Sequence, residues 1–139
     1  MTTDKKNCRS SCPITFSLDL FGDKWSLLIV RDLVFSKRNS YGEFLEAGEG
    51  ISTNILADRL KNLESDGIIQ KSVDPHNKRK YIYALTPKGI ELIPILVEII
   101  RWGGKYDPES PVPTQLLDRI ETDRETVINE FRSFINKPD

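Results

Sequence analysis

The sequence predicts a mainly α-helical protein with one small β-hairpin, and two stretches carry that expectation. In residues 50–67, Leu56, Leu60 and Leu63 recur at spacings of four and three. Ser52 stands where a helix cap belongs, and Gly67 can close the helix in the left-handed conformation. Next come Ile68–Val73 and Lys80–Leu85, rich in β-branched and aromatic residues and joined by the turn-forming Asp74-Pro-His-Asn77.

The remaining elements follow in order. Cys12-Pro13 opens a first helix, because proline at the first helical position loses no hydrogen bond. Phe16, Leu18, Leu20 and Phe21 give it an apolar side, and Gly22 breaks it. Asp23 can cap a second helix running from Trp25 to Phe35, apolar on most sides and therefore expected to be buried. Tyr41–Glu46 reads as a short third helix ended by Ala47-Gly-Glu-Gly50, and the 50–67 helix is the fourth. Thr86-Pro87 starts a helix that Pro94 should kink and Gly103-Gly104 should stop. Pro108, Pro111 and Pro113 stiffen a linker, and one last helix over about 114–136 carries Leu116, Leu117, Ile120, Val127, Ile128, Phe131, Phe134 and Ile135.

A short helix, a turn, a helix with one apolar stripe and a basic hairpin make a winged helix-turn-helix. The organisation expected is a flexible arm over 1–11, a winged helix-turn-helix domain over 12–104, a proline-rich linker over 105–113 and a dimerisation helix over 114–139. The outward face of the fourth helix offers Ser52, Thr53, Asn54, Asp58, Arg59, Lys61 and Asn62 to a DNA major groove. Lys78, Arg79 and Lys80 beside the hairpin turn are candidates for phosphate contact. Periodicity alone favours an ordinary surface helix whose polar face is merely solvated; the basic hairpin behind it shifts the balance toward DNA.

Composition agrees. The 139 residues carry a net charge of −1, but residues 1–106 hold 16 Lys/Arg against 13 Asp/Glu, so an acidic tail masks a mildly basic body. No run approaches the roughly 20 apolar residues of a membrane span, and the N-terminus shows no apolar signal segment, so a cytoplasmic protein is expected. One histidine, His76, and two cysteines are too few for a structural zinc site, and no cofactor motif is present. Nothing assembles a catalytic set, so an enzyme is not expected.

The landmarks Cys12-Pro13, Gly22-Asp-Lys-Trp25, Tyr41-Gly-Glu43, Gly50-Ile-Ser52, Leu60-Lys-Asn-Leu-Glu64, Asp66-Gly67, Tyr83-Ala-Leu-Thr86 with Gly89, and Trp102-Gly103 come in one order and spacing. In this the chain resembles the HxlR-type bacterial winged-helix regulators over about residues 12–104. The resemblance implies a homodimer on a pseudo-palindromic double-stranded DNA operator, with terminal helices at the dimer interface. It also implies a redox-sensing candidate in Cys12, because several members sense oxidants or quinones through a cysteine at this Cys-Pro site; Cys8 is a candidate resolving thiol. The chain departs from the family where Ser40 replaces the usual arginine, where Leu45 and Glu46 replace basic residues, and where Lys78-Arg79 replaces a Pro-Pro pair. Control by a small-molecule ligand and a protein–protein module without DNA are the alternatives.

Overall fold

An extended Cys12 followed by proline starts α1 (Pro13–Phe21) in the computed structural model, which describes residues 10–136. Most of the expected 1–11 arm, with Cys8, lies outside the described residues. Of the apolar side expected for α1, Phe21 is buried and Leu18 faces solvent; Ile14, outside that set, is also exposed. At Gly22 any Cβ would stand 2.5 Å from the Leu18 carbonyl oxygen, which suits glycine to the corner.

The second helix is α2 (Ser26–Arg31), which widens at its end into a π-turn over Asp32–Ser36. The cap position falls to Trp25 rather than to Asp23, which stands two residues earlier and whose Oδ2 accepts the N–H groups of Trp25 and Ser26 at 3.0 Å each. Ile29, Val30, Leu33 and Val34 are buried, as the all-round apolar pattern requires. The wider turn was not expected; it puts Lys37 in the left-handed region at φ 54° and buries Asp32, whose carboxylate pairs with Arg31 at 3.0 Å.

A reciprocal capping box begins α3 (Tyr41–Leu45): Ser40 Oγ accepts from the Glu43 N–H, and Glu43 Oε1 accepts from the Ser40 hydroxyl and the Asn39 N–H. Then α4 (Thr53–Ser65) forms as the spacing predicts. Ser52 Oγ accepts the Ile55 N–H, Leu56, Leu60 and Leu63 are buried, and Gly67 has φ +76°. Each of those leucines contributes about 1.5–3 kcal/mol by leaving water.

The wing is the antiparallel pair β1 (Ile69–Asp74) and β2 (Asn77–Leu85), registered Ile69 to Leu85 and Val73 to Tyr81. β2 starts three residues earlier than expected, so Lys78 and Arg79 belong to the strand. Asn39 lengthens the pairing, its carbonyl accepting the Tyr83 N–H at 2.8 Å.

Three expectations about the C-terminal half are corrected. Pro94 does not kink a continuous helix: the chain breaks after α5 (Pro87–Ile90), and Pro94 sits in the first turn of α6 (Ile93–Tyr106), where its missing N–H costs nothing. Gly103-Gly104 does not stop α6, which continues to Tyr106; at Gly104 a Cβ would stand 2.9 Å from Leu117 Cδ2, so the glycine admits the next helix at close range. The last helix is two, α7 (Thr114–Thr122) and α8 (Arg124–Ile135), divided at Asp123 with φ −152° and ψ 57°. Folding the segment back lets Ile120 and Val127 enter the core formed by Val30, Leu56 and Val97. Phe131 meets Phe35 edge to face at 4.7 Å, and Glu98 pairs with both Arg101 and Arg124. The apolar side expected to meet a second subunit is thus spent largely within one chain, because a hairpin at Asp123 can reach a core that a straight helix could not. No helix among the described residues is long and apolar enough to cross a membrane.

Candidate nucleic-acid interface

The cap, the leucine stripe and Gly67 fix which side of α4 faces outward, and the structure brings most of the expected residues to that side. Ser52, Thr53 and Asn54 are exposed at the start of α4, and Lys61 and Asn62 are exposed further along. The Ser52 hydroxyl oxygen is engaged in capping, which leaves its O–H free to donate outward. Asp58 is exposed and accepts from Asn62 Nδ2 at 3.4 Å.

Arg59 is placed differently from its neighbours. Its Nε donates to Asp23 Oδ2 at 2.8 Å and its Nη1 pairs with Asp58, and the side chain is only partly exposed. Burial works against ionisation of Asp23, but hydrogen bonds from Ser26, Trp25 and Arg59 outweigh it and hold the carboxyl below its usual range.

Lys78, Arg79 and Lys80 are exposed along β2. Strand alternation puts Arg79 on the face of Tyr81 and Tyr83, with Lys78 and Lys80 on the other, so the basic run is divided between two faces. Lys71 lies 4.2 Å from the centre of the Tyr81 ring. Between the start of α3 and the wing runs a groove of about 480 Å³, lined by Tyr41, Gly42, Arg79, Lys80, Tyr81 and Tyr83.

Four features of this surface were missed from the sequence. Tyr41 donates its hydroxyl to the Thr53 carbonyl at 3.1 Å, tying α3 to the first turn of α4. The Ser40-x-x-Glu43 spacing is the written signature of a capping box and could have been read. At the far end Lys88 Nζ donates to the Asp66 carbonyl at 2.7 Å, a contact 22 residues apart that no local pattern announces. Thr86 holds wing and helix together: its hydroxyl lies 2.5 Å from the Gly67 carbonyl oxygen, and its oxygen accepts the Gly89 N–H at 3.1 Å.

Cys12 is exposed at the N-terminus of α1. The N–H groups of Thr15 and Ile14, with the Thr15 hydroxyl, hold its thiol below the ordinary range. Elsewhere, α6 presents a stripe of exposed Ile95, Ile99, Trp102 and Tyr106, and α1 presents Ile14 and Leu18. An open, mainly apolar groove of about 690 Å³ lies along α8 beside Phe35, Phe131 and Phe134. No cluster of His, Cys, Asp and Glu able to hold a metal occurs among the described residues.

Comparison with known proteins agrees with this architecture. The HTH-type transcriptional regulator sll1512 of Synechocystis is 36% identical over 106 residues, covering 76% of this chain and 78% of that protein. The crystal structure of PA1607 superposes with a TM-score of 0.69 at 39% identity, covering 80% of this chain and 76% of that one. The reduced form of the transcriptional regulator YodB of Bacillus subtilis gives 0.57 at 32% identity, covering 73% and 99%. The redox regulator HypR in its oxidised form gives 0.60 at 32% identity, covering 68% and 96%. The HxlR-like helix-turn-helix family matches residues 20–111. This chain therefore belongs to the HxlR-like helix-turn-helix family of transcriptional regulators, and is not an enzyme.

Proposed function

We propose that the chain acts as a cytoplasmic homodimer that binds a pseudo-palindromic double-stranded DNA operator through α4 and the wing. The observation that carries this reading is an exposed hydrogen-bonding face on α4 followed by a basic strand hairpin that Thr86 ties to the end of that helix. Ser52, Thr53 and Asn54 approach base edges or adjacent phosphates, with Asn62 and Asp58 further along the helix. Lys61, Lys78, Arg79 and Lys80 meet phosphates. Support for the homodimer comes from the α6 stripe, whose spacings of four, three and four align Ile95, Ile99, Trp102 and Tyr106 on one side. An exposed apolar line of that kind marks a protein–protein contact.

The test is DNA binding measured against salt. Each lost phosphate contact lowers the slope of log affinity against log salt by about 0.9. Replacing Lys61, Lys78 and Lys80 together by alanine is expected to lower the slope by two to three of those steps. An unchanged slope overturns the assignment of this face, and it leaves a protein–protein module as the reading.

A thiol response through Cys12 is the second part of the reading. It is favoured by the exposed Cys12 thiol with its lowered proton affinity, and by relatives described as redox regulators or solved bound to a quinone. Quinone treatment is expected to change the DNA affinity of the wild type and leave Cys12→Ser unchanged.

A further inference from the structure

We propose that Asp23 is a positioning residue for DNA recognition: through Arg59 it fixes the roll of α4, and Arg59 itself supplies no charge to the DNA backbone. The inference rests on the reading of α4 as the DNA-facing helix.

Asp23 belongs to the α1–α2 corner and accepts four hydrogen bonds, three from within the corner and one from α4. Oδ2 accepts from Trp25 N and Ser26 N at 3.0 Å and from Arg59 Nε at 2.8 Å, while Oδ1 accepts the Ser26 hydroxyl at 2.6 Å. Ser26 is 2% exposed, so its end of the network is anchored in the core. Carboxylate and guanidinium are both only 28% exposed, and they are contributed by residues 36 apart. Such a pair carries information about how two elements sit together, which a pair within one helix does not.

The electrostatics argue in the same direction. Arg59 faces two carboxylates, those of Asp23 and Asp58. A guanidinium between two acidic groups presents a local charge of the wrong sign to attract phosphate. Lys61, by contrast, is exposed with no acceptor among the described residues. The leucine stripe fixes which side of α4 faces the core, but apolar contacts are not directional, so the fine angle about the helix axis is left to polar contacts at the flanks. Arg59 stands beside Leu60 at such a flank, where a charged, directional bond to the α1–α2 corner joins the Tyr41 hydroxyl on Thr53 in setting the angle at which Thr53 and Asn54 meet a groove.

A double-mutant cycle in the full chain tests this. Asp23→Ser keeps a capping oxygen for the Trp25 and Ser26 N–H groups while removing the carboxylate that Arg59 Nε reaches, and Arg59→Met keeps the length of the side chain. Affinity of both, and of the double variant, is measured by fluorescence anisotropy across a salt series. The probe is a duplex of about 30 bp selected in vitro with the wild-type protein, long enough for two half-sites one turn apart. Each single variant is expected to lose about tenfold in affinity, the double variant no more than either, and the salt slope to stay at its wild-type value throughout. Arg59→Lys, which retains charge but not the fork, should lose affinity as Arg59→Met does, and it serves if the methionine variant does not fold. A slope lower by about one in Arg59→Met, with Asp23→Ser binding as well as or better than wild type, makes Arg59 a phosphate contact and overturns the proposal. Additive losses overturn it as well. If the wild type itself selects no DNA, the reading of α4 fails, and the proposal fails with it.

Discussion

Gly89 lies so close to Ile68 that a Cβ on it would stand 2.2 Å from the Ile68 carbonyl oxygen. That carbonyl also accepts the Thr86 N–H at 3.0 Å, so the glycine packs the start of α5 directly onto the base of the wing. The obstacle is backbone and cannot rotate away. Gly89→Ala is therefore expected to destabilise the fold by about 2–3 kcal/mol. Gly42, inside α3 with open space around its Cβ position, is the control: Gly42→Ala should gain up to about 1 kcal/mol from helix propensity. Urea unfolding of the two variants measures both, and equal stabilities would contradict the packing argument.

The capping box of α3 makes stability depend on pH. The Asn39 N–H is the largest influence on Glu43 and lowers its pKa; burial opposes this, and the Ser40 hydroxyl and the charge of Lys80 add to the lowering. A carboxyl whose folded value is depressed stabilises the fold above its unfolded value, and that contribution is lost as pH falls through the folded value. The stability difference between wild type and Glu43→Gln should be constant above about pH 5 and shrink below it. Denaturant titrations from neutral to acid pH would reveal the convergence; a difference independent of pH refutes it.

The thiol of Cys12 gives a kinetic prediction. The Thr15 N–H is foremost among the groups that favour its thiolate, followed by the Ile14 N–H and the Thr15 hydroxyl. In a Cys8→Ser background, the iodoacetamide alkylation rate should reach half its maximum below the usual thiol value of about 8.5. A midpoint at or above that value removes the activation.

Ile99, at the centre of the exposed α6 stripe, is 49% exposed in the single chain. Ile99→Asp should convert a dimer to a monomer in sedimentation equilibrium while leaving the helix content by circular dichroism unchanged, since the residue takes no part in the chain's own core. A variant that sediments as the wild type does would move the dimer face elsewhere.

What the sequence disclosed was local in origin. Ser52, the leucine stripe and Gly67 lie within one helix length, and periodicity with caps determines such a segment almost alone. The same reasoning misjudged Pro94 and Gly103-Gly104, because a proline suits the first turn of a helix as well as it breaks the middle. Likewise, a glycine pair reads as a stop unless one knows that Leu117 must approach it. The division at Asp123 is decided by the core that Ile120 and Val127 enter, and nothing within a few residues announces that. In the candidate site, the exposed polar residues were legible from their spacing. The fate of Arg59 was not, because its partner Asp23 stands on another element.

The seating of Ile120, Val127 and Phe131 has a practical consequence for anyone wishing to borrow this protein. A fusion cut at residue 104, where the sequence suggests a boundary, would strip the lid from the compartment that supports α2 and α6. The transferable cassette runs on to Ile135, and a graft that exchanges α7 and α8 for another tail must bring its own replacements for those three side chains.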